Sequence, residues 1–149
     1  MPIPERIPLH LDDYRLDCLG RYRNGQQFMA MVTASIPHGN TPNFDAHKRW
    51  YAVLHRFSAD GTHMSTDAWF AGTTADGERR AVERAEQKLQ ELLSALGPYE
   101  LCNIEVRPFR TEIDGRTFGL IAGYYDDEQV ELVPSGLAFY EPWDGRYDT

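Results

Sequence analysis

Asn24-Gly25, Asp60-Gly61 and Asp114-Gly115 each separate two stretches of strand-like composition, and these pairs constrain the fold more than any other feature of the chain. A two-residue type I′ turn needs φ > 0 at both central positions, which Asn or Asp followed by Gly supplies at low steric cost. Three such turns predict three hairpins in a mostly antiparallel protein.

If Asn24-Gly25 fill the turn, Arg23 opposes Gln26, Gly20 opposes Met29 and Cys18 opposes Met31. Leu16, Cys18, Tyr22, Met29 and Met31 then share one face; Leu19, Phe28, Ala30 and Val32 share the other, so both faces are partly apolar. The same construction on Asp60-Gly61 opposes Phe57 to Met64, His55 to Thr66, Val53 to Ala68 and Tyr51 to Phe70, a core-like face. Trp50, Leu54, Arg56, His63, Asp67 and Trp69 lie opposite. Trp and Arg anchor many interfaces, which makes this face a recognition surface or one that another element covers. The third turn opposes Phe109 to Leu120 and Thr111 to Phe118, with Pro108 marking an edge or a bulge. Val130, Leu132, Leu137 and Phe139 predict a last hairpin around Pro134-Ser135-Gly136.

Between the second and third hairpins the period changes. Val82, Ala85, Leu89, Leu92 and Leu96 recur at 3-4-3-4 spacing with Ala81 and Leu93 beside them, and Glu83, Arg84, Glu86, Lys88 and Glu91 line the remainder. This is an amphipathic helix, with Asp76 as N-cap and Gly97-Pro98 as stop. The chain thus reads as one α+β domain over residues 1–149. Its expected core is a twisted, mainly antiparallel sheet of about six to eight strands, with the 76–96 helix packed on one face. Trp143 and Tyr147 are expected to pin the carboxyl-terminal tail to the body.

A net charge of −8 argues against general affinity for nucleic-acid phosphates or anionic lipid. No stretch approaches the ~18 apolar residues of a membrane span, and the first eleven residues lack a signal-peptide pattern, so the cytoplasm is the expected compartment. Cys18 and Cys102 have neither CxxC nor zinc-finger spacing, and each falls inside an apolar strand pattern. His38, Asp45 and His47 are metal-compatible types in the 37–48 loop, but zinc sites usually show tighter ligand spacing, and His10 with Asp12 and Asp13 is a weaker set. His55 and His63 fall on opposite faces of the predicted hairpin and cannot share a site without a register change. No GxSxG, P-loop or GxGxxG occurs, and Asp126, Asp127 and Glu128 lack an EF-hand frame. No catalytic residue, metal or cofactor is therefore assigned.

Five segments carry a resemblance across nearly the whole chain: Gly20-Arg-Tyr-Arg-Asn-Gly-Gln-Gln-Phe28, Trp50-Tyr-Ala-Val-Leu-His-Arg-Phe-Ser-Ala-Asp-Gly61, Ile104-Glu-Val-Arg-Pro-Phe109, Phe118-Gly-Leu120 and Leu137-Ala-Phe-Tyr-Glu-Pro-Trp-Asp-Gly-Arg-Tyr-Asp-Thr149. Together they resemble a family of small bacterial proteins commonly labelled formate hydrogenlyase regulatory proteins. The resemblance implies repression of a transcriptional activator through protein contact, with no catalytic or DNA-binding residue to carry over. The residues and the resemblance lead to one expectation: a non-enzymatic regulatory or inhibitory module, monomeric or homodimeric, that binds a protein partner. Its acidic, aromatic-bearing surface suits a basic partner. Trp50, Arg56, Asp67, Trp69, Asp126, Asp127 and Trp143 are the candidate binding residues. An immunity protein for a basic toxin would share these traits. The alternative class is a small-ligand binder or enzyme with a pocket near the 37–48 loop, Trp50 and Trp69.

Overall fold

A computed structural model describes residues 2–37 and 39–149. Among the described residues, twelve strands and one long helix make an α+β fold in which every strand pair is antiparallel. In chain order they are β1 Ile7–Leu9, β2 Leu19–Tyr22, β3 Gln26–Ser35, the short helix α1 Phe44–His47, β4 Arg49–Phe57, β5 His63–Thr73, α2 Glu78–Ser94, β6 Tyr99–Leu101, β7 Ile104–Val106, β8 Phe109–Ile113, β9 Arg116–Ala122, β10 Val130–Val133, β11 Leu137–Phe139 and β12 Tyr147–Asp148.

The single sheet expected from the hairpins is divided. One five-stranded sheet runs β5-β4-β3-β2-β6, a second runs β12-β11-β10-β9-β8, and β1 with β7 forms a separate ribbon. The division falls at Pro108, between β7 and β8. Proline has no amide to extend a ladder, so the chain leaves the ribbon there and re-enters as an edge strand of the second sheet.

Only the Asp114-Gly115 turn closes as a two-residue hairpin: Ile113 pairs with Arg116, and both turn residues have positive φ, 55° and 71°. At Asn24-Gly25 the ladder closes between Tyr22 and Gln26 around a 3₁₀ turn of three residues, Arg23–Gly25. The slip of one position puts Leu19 opposite Met29 and Gly20 opposite Phe28, and so exchanges the two faces of β2. Burial explains the choice. Leu19 and Met29 join the core between the sheets, while Cys18 and Tyr22 pack with Phe28 on the helix side.

At Asp60-Gly61 the predicted pairs Tyr51–Phe70, Val53–Ala68 and His55–Thr66 hold, but a bulge between Arg56 and Phe57 pairs Phe57 with His63 rather than Met64. The loop from Ser58 to Thr62 is closed by Ser58 N–H donating to Thr62 O (2.8 Å), and it docks on β7 through Arg107 N–H to Gly61 O (2.8 Å). A Cβ on Gly61 would stand 2.7 Å from Glu105 O, so this contact requires glycine. Gln27, fully buried, fastens the same corner: its Oε1 accepts from Glu105 N–H (3.0 Å) and its Nε2 donates to Glu105 O (3.0 Å) and Ser58 O (3.2 Å).

Helix α2 begins after a capping box between Thr73 and Asp76, with Gly77 as the cap residue proper, and ends before Gly97 at φ 81°. Ala81, Ala85, Leu89 and Leu93 are its buried stripe, with Leu96 just beyond, against Phe28, Ala30, Ala52, Leu54 and Ala71 of the first sheet. The opposite face of that sheet packs on the second sheet through Leu19, Met29, Phe57, Leu120, Val130, Leu132, Leu137 and Phe139, and Ile7, Leu9, Ile104 and Val106 of the ribbon belong to the same core. The tail closes this core. Tyr147 pairs with Phe139, its hydroxyl donates to Asp12 Oδ2 (2.6 Å), and Trp143 packs against the cluster.

Neither cysteine lies within a strand: Cys18 immediately precedes β2 and Cys102 links β6 to β7. Burial, and then the charge of Asp17, push the Cys18 thiol up to about 11, far from thiolate chemistry. No helix among the described residues is long and apolar enough to cross a membrane.

Candidate functional site

The type I′ turn at Asp114-Gly115 delivers Arg116 to the rim where the two five-stranded sheets meet. Its guanidinium donates to Ser35 Oγ (3.0 Å), Ser35 O (3.3 Å) and His47 O (3.2 Å), so it ties the end of β3 and the end of α1 to β9. Beyond Ser35 the chain leaves the sheet and exposes Ile36 (54%). From the other side, the loop between β9 and β10 is shaped by Gly123 N–H to Gln129 O (2.9 Å), Gln129 N–H to Asp126 O (3.0 Å) and Glu128 N–H to Asp126 Oδ1 (2.9 Å). It presents Tyr124 and Tyr125 with ring centroids 4.7 Å apart and planes at 74°. A cleft of ≈ 600 Å³ lies between these walls.

Val130 and Leu132 point into the core, so the alternation of β10 turns Glu131 the other way, into the cleft beside Val133 and Pro134. Glu131 is half-buried, and its carboxylate makes no hydrogen bond or ion pair among the described residues. Loss of solvation raises its pKa. The Tyr125 phenol is raised too, by partial desolvation, then by Tyr124 and the charge of Glu131.

The residues singled out from sequence occupy three places. Trp50, Arg56, Asp67 and Trp69 share the helix-side face of β4–β5, where α2 packs. Trp50 Nε1 donates to Thr74 Oγ1 (3.0 Å), Arg84 and Lys88 stand 5.7 Å from the Trp69 ring, and Arg56 Nη1 meets Asp67 Oδ2 at 2.9 Å. Trp143 lies against the core on the other side of the sheet, its Nε1 buried without an acceptor among the described residues. Asp126 and Asp127 sit in the loop behind the cleft, Asp126 spent on the loop's own turn. The cleft near the start of the 37–48 loop includes neither Trp50 nor Trp69.

The bulge at Arg56/Phe57 brings together two histidines that the predicted register separates. His63 turns toward the core side, stacks on Phe109 (4.3 Å, 12°) and stands 6.3 Å from His55. Thr66 Oγ1 bridges them, 2.7 Å from His55 Nδ1 and 2.7 Å from His63 Nε2. Burial, and then the neighbouring His63, lower His55 to about 3, and burial lowers His63 as well, so both imidazoles are neutral at pH 7. Asp45 and His47 lie on α1, and His38 lies outside the described residues; no group of three metal-ligating side chains occurs among the described residues.

No protein-family model, curated protein or solved structure matches the chain.

Proposed function

We propose that this chain is a non-enzymatic cytoplasmic module, regulatory or inhibitory, that acts by contact with another protein, and that the cleft between Ile36 and Tyr125 is the contact site. One observation carries the proposal: Tyr125, 74% exposed, and Ile36, 54% exposed, flank a cleft whose carboxylate, Glu131, has no hydrogen-bond or ion-pair partner among the described residues. Large apolar groups left in water beside an unpaired, half-desolvated charge gain free energy when a complementary surface covers them. The net charge of −8 supports a basic protein over a nucleic acid as partner. The resemblance to the formate hydrogenlyase regulatory proteins supports the same direction. A photo-crosslinking residue at position 125, compared with one at the exposed Gln90 of α2, tests this in the native cell. Adducts are expected at 125 alone, suppressed by excess unlabelled protein; equal patterns at both positions refute it.

The cleft volume of ≈ 600 Å³, within the usual range of ligand pockets, favours small-ligand binding as the second reading. In that case position 125 gives no protein adduct, and a metabolite extract raises the melting temperature.

A further inference from the structure

We propose that the corner formed by Tyr124, Tyr125 and Glu131 is a socket for an arginine side chain of the partner protein. The inference rests on the cleft being the contact site. Two tyrosine rings at 74° and 4.7 Å offer π-faces on adjoining walls, and a cation is attracted to such faces. Glu131 supplies a carboxylate within the same cleft, and its partial burial without a partner among the described residues is a cost that an incoming cation removes.

The molecule shows elsewhere what the completed arrangement looks like. Arg49 lies 4.0 Å from the Phe70 ring centroid and 5.6 Å from that of Tyr51, donates to Tyr51 Oη (2.8 Å) and meets Asp114 Oδ2 at 3.6 Å. Rings, carboxylate and guanidinium are all present there. Trp50 has Lys48 at 5.1 Å, Trp69 has Arg84 and Lys88, and Tyr14 has Arg15 at 5.8 Å. The Tyr124–Tyr125 pair has rings and a carboxylate, but among the described residues no cation stands over either ring. Arg116, in the same cleft, is held by Ser35 and His47 and does not bond Glu131. Asp126, Asp127 and Glu128, exposed in the loop behind the cleft, add negative potential that attracts a cation to this side of the molecule. A planar guanidinium suits this corner better than an ammonium, because it stacks on a ring while its edge meets the carboxylate.

The test is a titration of the isotope-labelled full chain with the peptide Gly-Arg-Gly, followed by amide chemical shifts, against Gly-citrulline-Gly as the uncharged isostere. Saturable shifts centred on Tyr124, Tyr125 and Glu131 are expected with arginine, at least about fivefold weaker with citrulline, and weakened by salt. Glu131→Gln, which removes an unpaired carboxylate and is expected to fold, should weaken arginine binding about tenfold. Tyr125→Ala should weaken it severalfold. Equal shifts with citrulline, no shifts, or unchanged binding by Glu131→Gln overturn the socket. If the crosslink at 125 forms while the arginine peptide gives nothing, the socket fails and the contact site stands; if both fail, the contact site fails with it.

Discussion

Acidification from pH 7.5 to 5.0 should destabilise this protein through His55, before its carboxylates contribute to the loss. The ring is fully buried between the sheets, against Phe57, His63 and Phe109, and its folded pKa is about 3 against 6.5 for an exposed histidine. The unfolded chain therefore takes up a proton that the folded one refuses. A folded pKa below the unfolded one means that the stability is complete above pH 6.5 and is lost as pH falls, at about 1.4 kcal/mol per unit below 6.5. By pH 5.0 the loss from His55 alone reaches about 2 kcal/mol, a sizeable part of the ~5–15 kcal/mol typical of a domain. His63, lowered in the same direction, adds to it. Asp12, Asp60, Asp76 and Glu112 have lowered pKa values, and their contributions are lost only below the ordinary carboxylate range. Glu131, raised, acts with the opposite sign and offsets a fraction. Urea denaturation at half-unit intervals of pH should show the wild type losing about 2 kcal/mol more than His55→Gln between pH 7.5 and 5.0. The glutamine variant starts from lower stability, so the comparison is of slopes. Identical slopes would mean that His55 is not held neutral by burial.

Two further outcomes follow from the packing. Leu89→Ala, at a side chain 8% exposed beneath α2, should cost about 2–5 kcal/mol by chemical denaturation, whereas Gln90→Ala on the exposed face should stay within about 0.5 kcal/mol of wild type. Deleting residues 142–149 removes β12, the Trp143 packing and the Tyr147–Asp12 hydrogen bond, and a loss of about 3 kcal/mol should lower the melting temperature by about 6–12 °C; an unchanged melting curve would show that the tail does not close the core.

How much of this the sequence discloses depends on whether a feature is set locally. The Asp114-Gly115 turn is local, since its two positive φ values follow from its two residues, and the Phe109–Leu120 and Thr111–Phe118 pairs follow from it. The helix stripe and the Val130–Phe139 hairpin are periodic patterns that burial enforces. Asn24-Gly25 has the same turn chemistry, yet the need to seat Leu19 and Met29 between two sheets shifts the ladder by one. The bulge that places His63 beside His55 fits a loop that docks at the end of β7, a contact between Gly61 and Arg107 far apart in the chain. Pro108 announces a break, but no residue near it states that the next strand belongs to another sheet. The cleft was the least legible part. Ile36, Arg116, Tyr125 and Glu131 come from three separate segments, and each alone reads as an ordinary surface residue. The Tyr124-Tyr125 pair ahead of an acidic run was the one local hint.

By main-chain pairing alone, the ribbon of β1 and β7 shares no ladder with either larger sheet. The Gln27 side chain alters that separation, because its amide gives Glu105 both an acceptor and a donor, as a neighbouring peptide group would. In effect β3 carries one sideways rung. Gln27 itself is fully buried, so separating β7 from β3 costs these paired hydrogen bonds together with the apolar burial around them. β7, although only three residues long, is thereby tied to β3 across the gap between the sheets, and β1 reaches that rung only through its own ladder with β7.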